Sequence, residues 1–131
     1  MKSENLKFNK SERLTGEIRI KELFEKGSFL LSYPFRIGFL IAAESDVPAK
    51  VVISVPKKRF KKAHDRNYIK RLIRESYRLN KALLYELLNK KNCAVHLAVS
   101  YISSDKLSHE IIQKKWIKTI DELAKKLPEK V

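Results

Sequence analysis

The side chains that could move a proton, attack an electrophile or hold a metal are few in this 131-residue chain: three histidines, one cysteine and 15 carboxylates. His64, His96 and His109 are scattered, and no HExxH, paired acidic motif, Gly-x-Ser-x-Gly or cysteine-histidine pairing occurs. His96 falls in a strand-like run and reads as structural, while His64 lies in a basic loop where it suits contact with a polyanion and simple exposure equally. Asp65 and Glu75 read as a helix cap and as an i,i+4 partner of Arg71. No catalytic residue and no metal-ligand set is assigned, so any reaction involving this chain must draw its chemistry from another component. The spacing does support anion recognition. Residues 56–78, PKKRFKKAHDRNYIKRLIRESYR, hold ten basic residues (Lys57, Lys58, Arg59, Lys61, Lys62, Arg66, Lys70, Arg71, Arg74, Arg78) against Asp65 and Glu75, so these 23 positions carry +8 of a net +14.

An element must aim those charges in one direction. Ile69, Leu72, Ile73, Ser76, Leu83, Leu84 and Leu87 recur at three- and four-residue spacing, which predicts an amphipathic helix. At about 100° per residue, Asn67, Lys70, Arg71, Arg74, Arg78 and Lys81 share an arc of roughly 100° opposite the apolar stripe. Asp65 is the predicted N-cap, and the free N–H groups of the first turn add a positive dipole end beside Arg66 and the upstream lysines. A merely solvated face mixes signs at i,i+4. This one hardly does, which favours a bound polyanion.

The rest of the composition narrows the partner. With 44% hydrophobic residues the chain is one domain able to bury a core. A net charge of +14 and a pI near 9.9 point to nucleic acid or an anionic membrane. The apolar stripe lacks the aromatics of a membrane-surface helix, and no apolar run approaches the roughly 18 to 20 residues of a span. MKSENLKFNKSERL has no apolar signal region, and the lone Cys93 fits a reducing compartment, so the expected location is cytoplasmic.

In chain order, Thr15 or Ser11 is expected to cap a short helix with Leu14, Ile20, Leu23 and Phe24 on its apolar face, ending at Lys26 with Gly27 behind it. Residues 29–32 and 34–42 read as strands, the second placing Phe35, Ile37, Phe39 and Ile41 on one side and Arg36, Gly38 and Leu40 on the other. A turn at 44–50 precedes a β-branched strand at 51–55, closed by Pro56. The basic helix runs to about Asn89 with a break near Asn80, and residues 94–101 form another inner strand. A last helix spans about 107–127, with Ile112, Trp116, Ile120, Leu123 and Leu127 inward. The expected class is α/β (α+β) in the order α-β-β-β-α-β-α, a central mixed four-stranded sheet with helices packed on it.

Ser54-Val55-Pro56-Lys57-Lys58, Lys62-Ala63-His64-Asp65-Arg66-Asn67 and Ile69-Lys70-Arg71-Leu72-Ile73-Arg74-Glu75 together resemble the signature of the protein component of bacterial ribonuclease P, an SV-x-KK strand end followed by an R-N-R-x-K-R-x-x-R-E helix. Arg13-Leu14, the helix end Leu23-Phe24-Glu25-Lys26-Gly27 and Pro34-Phe35 extend the match, so that recognisable motifs cover about residues 10–80. The resemblance implies a ribosomal-protein-type fold with a left-handed β-α-β crossover, against the general right-handed rule. It also implies an accessory subunit of an RNA enzyme that removes the 5′ leader from precursor tRNA. In that reading the catalytic Mg²⁺ sits on the RNA subunit, the protein binds no cofactor itself, and its partners are ribonuclease P RNA and precursor tRNA, with no protein partner implied. Tyr68 stands where the motif has its second arginine, and Val52 where many members have glycine.

The whole chain, 1–131, is thus expected to form a single RNA-binding domain. Lys57, Lys58, Lys61, Lys62, Arg66, Asn67, Tyr68, Lys70, Arg71 and Arg74 are its candidate contacts to the RNA subunit. Phe24, Phe35 and Phe39 are the candidate aromatics for the single-stranded leader. The rival reading is a ribosome-associated or general RNA-binding protein without a catalytic partner. A stand-alone nuclease has no residues to run on.

Overall fold

The computed structural model describes residues 8–42 and 45–128; the leader through Lys7 and the start of the turn expected at 44 lie outside them. A 3-10 turn at Lys10–Glu12 leads to α1 (Glu17–Lys26), β1 (Ser28–Ser32), β2 (Phe35–Ala42), β3 (Ala49–Ser54), α2 (Ala63–Lys90), β4 (Ala94–Tyr101) and α3 (His109–Lys126). The strands lie in the order β1-β2-β4-β3. β1, β2 and β4 pair antiparallel, whereas β3 and β4 are parallel neighbours joined by α2. The expected single α+β domain with a mixed four-stranded sheet is observed.

Strand alternation sends two sets of side chains to opposite faces. Leu30, Phe35, Ile37, Phe39, Val51, Val95, Leu97, Val99 and Tyr101 join Ile69, Ile73, Tyr77, Leu84, Leu88 of α2 and Ile112, Trp116, Ile120, Leu123 of α3 in the main core. Trp116 is its centre, with ring centroids 5.7 Å from Phe35 and 5.9 Å from Tyr77. On the outer face α1 lays Leu23 and Ile20 over Ala98, Leu40 and Val52. The chain passes from α1 into β1 at Gly27, where an added Cβ would stand 2.4 Å from the Leu23 carbonyl oxygen and 2.9 Å from that of Phe39. Glycine is needed here for close approach; its φ of −75° is ordinary.

Helix starts depart from expectation. α1 begins after Gly16 and not after Thr15 or Ser11. α2 begins at Ala63 with Lys62 at the cap position, so Asp65 lies inside the first turn and bonds Lys106 across space at 2.6 Å. Its acidic charge still complements the helix dipole there. The break expected near Asn80 is absent: α2 runs unbroken from Ala63 to Lys90, and the Asn80 side-chain amide donates to the Ser76 carbonyl at 2.8 Å. α3 starts two residues later than expected, where the Ser108 hydroxyl accepts from the Ile111 N–H at 3.3 Å. Among the described residues no helix is long and apolar enough to cross a membrane.

Candidate nucleic-acid interface

The loop between β3 and α2 is held from both sides. Phe60 is buried against Tyr101, ring centroids 6.1 Å apart, and anchors the loop in the core. From α2, Arg66 Nη1 donates to the Phe60 carbonyl at 2.9 Å and the Lys61 carbonyl at 2.8 Å. Lys57, Lys58, Lys61 and Lys62 stay exposed on this fixed frame. Asn67, Arg71 and Arg74 are exposed on α2, and Lys70 is half-buried. Arg66, expected on the ridge as a direct contact, is instead half-buried and committed to loop carbonyls. Tyr68 is 38% exposed, and the Arg71 guanidinium lies 5.6 Å from its ring centroid.

Both carboxylates of residues 56–78 are occupied. The Lys106 ammonium bonds Asp65 and holds its carboxyl below the usual range. Arg78 does the same for Glu75, its Nη2 2.5 Å from Oε1, which replaces the pairing expected with Arg71. Among the described residues, Lys57, Lys58, Lys61, Lys62, Lys70, Arg71 and Arg74 have no carboxylate partner. The outcome is a one-signed surface whose charges are free to meet phosphates.

Lys81 leaves the predicted arc. It is 6% exposed and turned inward to Glu12, with Nζ 3.0 Å from Oε2 and 3.1 Å from Oε1. The Tyr85 hydroxyl donates to the same carboxylate, and burial, then Tyr77 and Glu12, push that phenol above its usual range. The buried face of α2 therefore turns toward Tyr77, Lys81 and Leu88, leaving Leu79 and Leu83 exposed at 37% and 40%.

Phe35 and Phe39, expected as stacking aromatics, are corrected by burial: they are 0% and 9% exposed in the core beneath α2 and α3 and cannot offer a ring face to a base. Phe24 is 51% exposed and stacks on Phe29 with centroids 6.0 Å apart and planes 29° from parallel. Arg36 caps the far ring, its guanidinium carbon 4.6 Å from the Phe29 centroid. Opposite Phe29 in the register stands Gly38, where an added Cβ would lie 2.8 Å from the Phe29 ring. That missing side chain lets the ring lie flat across β2. Sequence reasoning missed Phe29 and Arg36; the usable signal was a glycine on the outward side of β2. The next outward row, Arg36, Ser100 and Ser54, has a 3.1 Å contact between the two serine hydroxyls and leads along β3 to Lys57 and Lys58.

His64 is exposed, and His96 lies half-buried on the outward face, where burial, with Arg19 and Lys50 nearby, lowers its pKa. Among the described residues no three His, Cys, Asp or Glu side chains come together as a metal site would require.

Residues 8–124 match the ribonuclease P family. The chain belongs to the ribonuclease P protein family. A Porphyromonas gingivalis (strain ATCC BAA-308 / W83) relative named ribonuclease P protein component is 33% identical over 121 residues, covering 92% of this chain and 88% of the relative. One of the same name from Haemophilus influenzae (strain PittGG) is 40% identical over 75 residues, 57% of this chain and 61% of the relative. The solved RNase P protein of Staphylococcus aureus superposes with a TM-score of 0.69 at 23% identity, covering 87% of this chain and 95% of that one. The Thermotoga maritima protein gives 0.69 at 22%, covering 85% and 96%. These two likenesses are of fold. Family membership makes the chain a protein component of ribonuclease P, a tRNA-processing endoribonuclease, and gives it an RNA partner.

Proposed function

We propose that this protein is the RNA-binding subunit that joins ribonuclease P RNA to the single-stranded 5′ leader of precursor tRNA and so assists leader removal in the cytoplasm. The RNA subunit holds the catalytic Mg²⁺, and the protein supplies charge, a stacking surface and orientation. The observation that carries this reading is the unpaired cationic surface of Lys57, Lys58, Lys61, Lys62, Arg71 and Arg74, whose neighbouring carboxylates are already neutralised by Lys106 and Arg78. Such a surface matches a phosphate backbone and is indifferent to sequence. The Phe24, Phe29 and Arg36 stack supports the leader role, because aromatic faces accept any base.

The test is binding to ribonuclease P RNA across a salt series. Removing one phosphate contact lowers the slope of log affinity against log salt by about one. Arg71→Ala and Arg74→Ala should each do so, and slopes equal to wild type in both would overturn the assignment of this surface.

A further inference from the structure

The N-terminal segment is fastened to the body by a buried ionic latch. Glu12 is 2% exposed and receives Lys81, the Tyr85 hydroxyl and the Asn9 N–H, the last at 2.9 Å. One residue on, Arg13 bridges Val51 of the edge strand β3, and the Leu14 N–H donates to the Val51 carbonyl at 2.9 Å. Phe8 packs on Tyr77 with centroids 5.3 Å apart and supports the Arg13 guanidinium 5.2 Å from its own centroid. A buried ion pair holds its partners firmly, since leaving either charge alone in the interior is costly. Exposed Arg13 is thereby fixed in place.

Arg13 and Arg74 together line one cavity of about 180 Å³, with Phe8, Thr15, Val51 and Ile53 among its other walls. Among the described residues no carboxylate lines it. Arg74 belongs to the α2 ridge, so the cavity joins the ridge to the latched segment across the β3 edge. Two guanidiniums, one hydroxyl and an apolar floor with an aromatic wall suit an RNA nucleotide: the forks hold a phosphate and the ribose lies over the strand. We propose that Arg13, positioned by the Glu12 latch, and Arg74 form a nucleotide-binding notch that grips one RNA phosphate between them. The proposal rests on the reading of α2 as an RNA-binding surface and adds a site outside the arginine-rich helix. The nucleotide belongs either to the RNA subunit or to precursor tRNA.

The experiment compares wild type, Arg13→Gln, Arg74→Gln, the double variant and Arg13→Lys. Each full-length protein is titrated across a salt series against ribonuclease P RNA, and against precursor tRNA in the reconstituted holoenzyme, beside a thermal melt. Arg13→Gln should lower the salt slope by about one, so that its deficit in affinity against wild type is about threefold larger at 50 mM salt than at 200 mM. Arg13→Lys should keep the slope and bind several-fold more weakly, because an ammonium cannot fork. The double variant should lose less than the two singles combined, as partners on one phosphate must. A loss seen with the RNA subunit alone assigns the nucleotide to that RNA, and a loss confined to precursor tRNA assigns it to the substrate. A wild-type slope for Arg13→Gln beside a lowered slope for Arg74→Gln overturns the notch while the ridge stands. Wild-type slopes for both overturn the RNA-binding reading of the ridge and the notch with it. If the melt shows Arg13→Gln to be unfolded, Arg13→Lys decides, and wild-type affinity in that variant overturns the notch.

Discussion

Tyr68 stands in a cationic motif without a charge, and the structure puts it at the edge of the ridge with Arg71 against its ring. A phenol can stack on a base or donate one hydrogen bond but cannot neutralise a phosphate. Tyr68→Arg should therefore raise the salt slope for ribonuclease P RNA by about one contact, and Tyr68→Phe should change it little. A lower melting temperature with an unchanged slope in Tyr68→Arg would mean that the ring serves packing. For the leader, Phe24→Leu and Phe29→Leu should each reduce the preference for precursor over mature tRNA by about 1 to 3 kcal/mol, read as a ratio of dissociation constants. Phe35→Ala should cost stability instead, about 3 to 5 kcal/mol in chemical denaturation, since it opens a cavity beside Trp116. His96 adds a pH signature. Its folded pKa lies below the ordinary 6.5, so the unfolded chain takes up that proton first. The neutral imidazole costs nothing above that value, and stability falls as pH drops through it toward the folded pKa. His96→Gln should flatten the urea midpoint between about pH 7 and pH 5, and an unchanged profile would contradict this cause.

At the scale of elements, what the sequence made legible was what local spacing controls. Residues 94–101 form the strand expected there, the alternation of 34–42 assigns its two faces correctly, and the apolar spacing of α3 matches its buried face. What stayed hidden depends on partners far along the chain. Lys81 looked like ridge because its charge fits the arc, yet Glu12, 69 residues away, draws it inward. Phe39 and Phe24 are equally aromatic in sequence, and only the packing of α2, α3 and α1 on opposite faces separates core from surface. Phe29 was invisible as a stacking residue until the register placed it over Gly38. The basic loop gives the test at this scale. Arg66 secures it through two carbonyls, so Arg66→Ala should speed trypsin cleavage among Lys57 to Lys62 several-fold while Arg74→Ala does not. Equal cleavage rates would show that Phe60 alone holds the loop.

Across the whole molecule, the sheet separates two duties. One face is buried under α2 and α3, and the outer face carries α1 with the Phe24, Phe29 and Arg36 stack beside it. The basic loop leaves β3 at the end of the row containing Arg36, Ser100 and Ser54; under the proposed function, RNA lying on the stack would run toward the lysines and then the ridge. The central claim is that the chain binds and orients RNA while the RNA subunit cuts. The most direct measurement is precursor-tRNA cleavage at low Mg²⁺ by ribonuclease P RNA alone, by this protein alone, and by the two together. The predicted result is accurate 5′ cleavage only in the mixture; cleavage by the RNA-free protein, or a mixture no more active than the RNA alone, would contradict it.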